Sequence, residues 1–340
     1  MRRLILIIIV GAVYFVVSPI CFADDLVQDF PSSQTHNQIV NQDLDRIEYS
    51  ENTRAVLVAV PVTTNGIPTA SAETSVVPPT SISPIVTKTL ITRKRDEIEF
   101  GPDFYWARYQ QPGVYHQRGF MAGYNASFTY RTASPTPFLN KFRIEGQWDS
   151  GKFNDPTDGF NGIRDTSYEV RGLLGHEFYP LSSIRATGYS GFGYRFFEDN
   201  PDGLSGSDGE FTVLGYKTYA HYCYIPFGLD LLYQSSPKYS LDSDFEFDWM
   251  VRGWEDSFLG VLQEGYGTTV NHQDGGFGVR LSLKLKLYFK YCDAFAETYF
   301  RYWNIAQSNN LTDPVDPTNP PLYIPKNNTE ELGFRLGLAI

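Results

Sequence analysis

The sequence predicts an all-β fold, an up-and-down antiparallel transmembrane β-barrel of about ten strands behind a disordered N-terminal lead. Three observations in the 340 residues point there. From about Glu97 onward, polar and apolar residues alternate, which is the period of a strand with two unlike faces. The connections between the alternating stretches are by turns long and short. Beyond the N-terminal segment no stretch is long and apolar enough for a membrane helix, so a membrane crossing requires a closed barrel, which satisfies every backbone donor and acceptor. The composition agrees, since 23 Tyr, 25 Phe and 29 Gly suit many strands joined by turns. A net charge of −11 argues against a nucleic-acid partner, which needs a basic face.

Residues 1–23 read as a secretory signal. Arg2 and Arg3 give the positive start, Leu4 to Val17 the apolar run, and Cys21-Phe22-Ala23 a small-residue cleavage site after Ala23. A retained membrane helix fits less well, because the run is short for a span. A lipoprotein reading of Cys21 fails on Ile20, where a small residue belongs. Residues 24–95 are rich in Ser, Thr, Pro, Val and Asn, as in Thr63 to Thr80, and cannot bury enough apolar surface to offset their ordering entropy. They are expected to be a flexible periplasmic lead, with Ala55 to Val60 an isolated apolar patch. Of the remaining cysteines, Cys223 falls mid-strand and Cys292 at a turn two strands away, too far apart to be joined.

Residues 96–340 form the expected barrel. Ten strands are placed near 97–109, 119–131, 140–151, 166–179, 184–197, 216–235, 238–252, 275–291, 293–306 and 329–340, with eight or twelve as alternatives. Pro226 interrupts the sixth and marks an expected bulge. Connections near 110–118, 153–165, 198–215, 253–274 and 307–328 are polar and long, the others short, which places both chain ends of the barrel on the periplasmic side.

The clearest strand is Arg280 to Tyr291. Leu281, Leu283, Leu285, Leu287, Phe289 and Tyr291 share one face; Arg280, Lys284, Lys286 and Lys290 share the other. The preceding strand has the opposite sign, with Asp242, Asp244, Glu246 and Asp248 alternating with Leu241, Phe245, Phe247, Trp249 and Val251, and Ser243 as the one polar residue on the outer face. If the two are neighbours, acidic and basic ladders meet in the lumen, where buried charges need partners. Glu97, Glu99, Asp103, Arg131, Lys141, Arg143, Glu145, Asp149, Glu169, Arg171, Arg195, Glu297, Arg301 and Arg335 are placed inward with them. So many mixed charges in a ten-strand lumen predict an interior mostly filled by side chains. Trp106, Tyr109, Tyr130, Trp148, Tyr179, Phe196, Phe197, Trp249, Tyr302 and Trp303 cluster near strand ends and are candidates for two aromatic girdles.

The runs Phe104 to Tyr109, Gln111 to Gly113, Gly119 to Arg131, Tyr168 to Gly175 and Gly191 to Phe196 resemble a loosely defined, porin-like group of outer-membrane β-barrel proteins of Gram-negative bacteria. The resemblance covers roughly residues 97–340 and leaves out the polar lead. It implies the barrel and a cell outer-membrane location, and brings no catalytic residues. Glu331, Gly333, Leu336 and Leu338 resemble the terminal-strand spacing read by the barrel-assembly machinery, although the chain ends in Ile340 where many such proteins end in Phe.

Chemistry is sparse. Ten strands is also the size of the omptin proteases, which use acidic residues and a His at the extracellular rim. Here Asp248 with His272 and Asp274 are the nearest analogues, without omptin's paired motifs, and a solvated loop His is favoured. His221 and Cys223 are half of a metal pair at most. Asp199 to Glu210 lacks the spacing of a calcium loop. His176 reads as structural and His116 as a loop residue. No catalytic residue, metal or cofactor is therefore expected. The expected role is a non-enzymatic structural or surface-interaction one, in contact with outer-membrane lipid, lipopolysaccharide and the assembly machinery. A narrow porin-like channel is the alternative, and an omptin-like hydrolase ranks below both. The oligomeric state stays open.

Overall fold

The computed structural model describes residues 94–132, 138–207, 212–262, 266–315 and 317–340. The expected signal and nearly all of the lead lie outside them. The strands are β1 (Asp96–Gln111), β2 (Tyr115–Arg131), β3 (Lys141–Asp155), β4 (Phe160–Leu181), β5 (Ile184–Asn200), β6 (Ser205–Ser207), β7 (Thr212–Leu214), β8 (Thr218–Ser236), β9 (Tyr239–Phe258), β10 (Thr268–His272), β11 (Gly276–Tyr288), β12 (Asp293–Ile305) and β13 (Asn327–Ala339).

Ten of these make the barrel, in the ring order β9-β11-β12-β13-β1-β2-β3-β4-β5-β8, with β8 returning to β9. All pairings are antiparallel. The seam is β1 on β13, where Ile98 and Ile340 exchange backbone hydrogen bonds of 3.0 Å. β6 and β7 form a small hairpin, and β10 extends the sheet by pairing with the upper half of β9.

The barrel is inverted relative to a water-soluble protein. Leu281, Leu283, Leu285 and Leu287 on β11 are exposed, while Arg280, Lys284 and Lys286 between them are buried. The same reversal runs along β9, where Phe245, Phe247 and Trp249 are exposed and Glu246 and Asp248 are sealed inside. Apolar outside and charged inside is stable only with lipid around the barrel. Spanning takes about nine to eleven residues per strand. β4 has 22 and β9 has 20, so the wall continues well past the lipid at the end opposite the seam termini.

That excess corrects two expected loops. The connections near 110–118 and 153–165 are mostly strand, closed by tight turns in which Gly113 and Gly159 take positive φ of 79° and 73°. Their Gly, Asp and Asn content hides the strand because outside lipid neither face must be apolar. His116 accordingly lies on β2, not in a loop, with Nδ1 3.2 Å from the Thr157 hydroxyl. The expected disturbance near Pro226 is present, with pairing to β5 lapsing at residues 225–226 and a bulge against β9 at Cys223/Tyr224. Cys292 carries a free thiol, so it is not joined to Cys223.

Candidate functional site

The inward faces build two different environments, one above the other. The lower and middle lumen is an ionic plug. β9 and β11 are neighbours in the register Glu246↔Arg280, Asp244↔Ser282 and Asp242↔Lys284, so the acidic and basic ladders do lie side by side. Arg280 pairs with Asp248 at 2.7 Å and Glu246 at 3.0 Å. The rest of the ladder pairs elsewhere. Lys284 reaches Glu99 (3.0 Å) and Glu297 (3.3 Å), and Lys286 reaches Glu99 (2.5 Å) and Glu97. Asp244 accepts from the Tyr189 hydroxyl at 2.8 Å, and Asp242 lies 4.0 Å from Arg185. Lys290 departs from expectation. β11 ends at Tyr288, so Lys290 sits exposed in the turn, over the Tyr291 ring.

Above the ladders, one chain of contacts crosses the barrel. Arg195 on β5 binds Glu331 on β13, and Arg301 on β12 meets Glu169 on β4 at 3.4 Å. Each pair joins strands five places apart in the ring of ten, the full diameter. Arg301 also pairs with Glu331 at 2.7 Å, and Arg280 donates to Glu169 at 2.8 Å, which links both bridges to the ladder. The Tyr224 hydroxyl donates to Glu169 at 2.5 Å. Its ring end lies against Gly193, where a Cβ would stand 2.1 Å from the ring, so only glycine fits beneath this buried tyrosine. Below this layer the lumen keeps a charged cavity of about 100 Å³, and within the layer a gap of about 10 Å³. The gap holds at most one water.

Above the layer the barrel opens into a vestibule of about 320 Å³. Its wall carries Tyr109, Tyr115, Phe197, Tyr222 and Trp303 from five strands, β1, β2, β5, β8 and β12, and Tyr216 from the connection before β8. Its mouth is narrowed by Val213 and Leu214 of the β6–β7 hairpin and by Tyr323 to Pro325 of the last long connection. Asp199 and Glu255 face into it, and Asp165 stands opposite Asp199 across the β4–β5 ladder. Burial, then the Glu255 and Asp199 carboxylates, push the Tyr216 phenol up to about 12.

Three expected girdle residues are thus corrected. Tyr109, Phe197 and Trp303 face inside, because each directly neighbours or shares a strand with an outward aromatic of opposite parity. Trp106, Trp148 and Trp249 are exposed on the outside. Asp165, Glu255, Tyr115 and Tyr222 of the vestibule, and Glu177, Arg185, Asp230 and Glu331 of the plug, escaped the sequence reading. Extending the two-residue period past the apolar band would have found most of them.

The other candidates separate. His272 and Asp274 share a recess on the outer wall with Arg252 and Asn309, while Asp248 is sealed in the lumen on Arg280. Wall backbone lies between them. His221 faces outward, stacked on Trp254 (centroids 4.6 Å), with Nδ1 2.8 Å from the Tyr194 hydroxyl and Nε2 3.4 Å from Asp256. His176 stacks on Phe178. Among the described residues no three His, Cys, Asp or Glu side chains converge as metal ligands.

These features define the class of protein, an outer-membrane β-barrel with a charge-filled lumen. No protein-family model matches the sequence, and no curated protein matches it. Solved structures similar to it include the outer-membrane protease OmpT of Escherichia coli (12% identity, TM-score 0.45, covering 72% of this chain and 95% of that one). The toluene transporter TbuX of Ralstonia pickettii is also similar (8%, 0.34, 74% and 90%). So is Ail, the attachment invasion locus protein of Yersinia pestis (10%, 0.26, 72% and 99%). Their names span a protease, a transporter and an attachment protein, so no activity carries across to this chain.

Proposed function

We propose that this chain is a non-conducting barrel of a Gram-negative outer membrane that works by binding at its extracellular end, without catalysis. In this reading the first 23 residues export it, and residues 24–95 stay in the periplasm. The strand extensions and upper connections stand among lipopolysaccharide headgroups and meet partners there.

The observation that carries the reading is the pair of diametric bridges, Arg195–Glu331 and Arg301–Glu169. A hydrated ion must break them or squeeze through a gap of about 10 Å³. The charged cavity of about 100 Å³ below them favours the second reading, a narrow solute channel that opens when the bridges part.

Conductance of the refolded full chain in a planar bilayer decides between the two. A silent wild type, with current appearing in the double variant Arg195→Ser/Arg301→Ser, supports the closed barrel. A steady wild-type current whose ion selectivity changes in Asp244→Asn/Glu246→Gln/Asp248→Asn overturns it in favour of the channel.

A further inference from the structure

The vestibule differs from the plug in one chemical respect. Asp165, Asp199 and Glu255 at its wall have no cation among the described residues. Asp165 is completely buried, and its carboxyl meets the Asp199 carboxyl, acid against acid, with no cation beside it among the described residues. Asp199 accepts from the Gln117 amide at 3.2 Å and otherwise meets the Asp165 carboxyl. Gln117, itself 1% exposed, keeps an unpartnered carbonyl oxygen. Among the described residues no Lys or Arg forms an ion pair with Asp165, Asp199 or Glu255. The cation at the vestibule floor, Arg195, is committed to Glu331. Buried, unpaired carboxylates are costly, and the cost is relieved only by a proton or an incoming positive charge.

The wall indicates what kind of positive charge. Aromatic faces attract ammonium groups within about 6 Å of the ring centroid. Tyr109 and Tyr115 lie against each other (centroids 5.6 Å), and Tyr216, Tyr222 and Trp303 complete the enclosure. A hard metal ion would need converging oxygen ligands, and the described residues bring no such group together. No histidine lines the cavity, so it lacks the usual general base for hydrolysis. At about 320 Å³ the space suits a small molecule.

We propose that the vestibule binds a small organic ammonium ion with an apolar or aromatic body, its charge held by Asp199 and Glu255 and its body enclosed by the tyrosines and Trp303. The proposal rests on the closed-lumen reading, since the floor that holds the ligand is the bridge layer.

The test uses the full chain refolded in detergent. 2-Phenylethylammonium is titrated against its neutral counterpart 2-phenylethanol, followed by tryptophan fluorescence and by calorimetry. The expected result is saturable binding of the ammonium ion and at least roughly tenfold weaker binding of the alcohol, about the effect of one exposed-to-buried charge contact. Asp199→Asn/Glu255→Gln, a near-isosteric change checked for folding by heat-modifiable gel migration, should weaken the ammonium ion by about tenfold or more and leave the alcohol unchanged. Equal affinity for both probes, no saturable response to the ammonium ion, or a folded carboxamide variant that binds like wild type would each overturn the proposal. So would a saturable calcium response lost in the same variant, which reassigns the site to a metal. Bilayer conductance on the same preparation keeps the two readings apart. Current with selective binding sinks the closed lumen alone, and silence without binding sinks the site alone.

Discussion

The plug and the vestibule are lined by the same wall and obey the same alternation, yet they treat charge in opposite ways. In the plug, Glu169, Glu246 and Glu331 each meet an arginine. In the vestibule, Asp165 and Asp199 meet each other across one ladder. The difference teaches that burial of a carboxylate has two meanings in one lumen. Where most acids have their cations, Asp149 and Asp244 aside, the interior is a brace; where acid faces acid, as at Asp165 and Asp199, the demand for positive charge is left unmet.

The comparison can be broken most severely at Arg280. It is the ion-pair partner of Asp248 and touches Glu246 and Glu169. Arg280→Met leaves buried carboxylates uncompensated, a loss of about 3–5 kcal/mol. Urea unfolding of the barrel in lipid vesicles should show it, and restoration by adding Asp248→Leu would confirm the cause. An unchanged midpoint in the single variant would mean the ladder is not a brace.

A smaller change of the opposite sign is expected at Asp165. Replacing one of the two facing acids as Asp165→Asn keeps a donor toward Asp199 and removes the cost of burying a carboxyl pair, and should stabilise the barrel by about 1–2 kcal/mol in the same assay. Destabilisation instead would show that Asp165 is held by a group other than Asp199 and that the contrast between the two regions is false.

The smallest effect sharpens the boundary of the plug. Lys290 lies outside the lumen, so Lys290→Ala should shift stability by less than about 0.5 kcal/mol, against several for Arg280. A loss comparable to that of a plug residue would place it back in the ladder.

Much of the barrel is legible in the sequence because lipid and lumen demand opposite side chains at adjacent positions. Leu281 to Leu287 carry that demand without interruption and Asp242 to Asp248 with Ser243 as the one outward polar residue, and their pairing follows from it. The demand ends where the lipid ends. Above that level Thr166, Phe197 and Glu255 obey the same period, but with no apolar partner set to reveal it, and the turns at Gly113 and Gly159 read as long loops. Lys290 shows the converse failure. The alternation of Lys and aromatic residues runs on to Tyr291, while the hydrogen-bonded ladder stops at Tyr288 opposite Asp293. Cross-lumen partners are invisible to any period, since Arg195 and Glu331 are joined by barrel curvature and not by neighbouring strands.

The seam between β1 and β13 carries a kinetic consequence. Every other junction of the ring joins strands adjacent in the chain or nearly so, and can form as a local hairpin; this one joins the two ends of the barrel sequence. Contacts of such separation form late and slowly. Several plug contacts straddle the seam, among them Arg335 with Asp103 at 2.9 Å and Lys284 with Glu99 at 3.0 Å. Until β1 meets β13 these groups can remain hydrated, so the stripping of water from the lumen falls at the final step of closure. The barrier to assembly is therefore concentrated at the seam, and once crossed it is equally hard to recross, which would make the closed barrel long-lived for reasons of rate as well as of equilibrium.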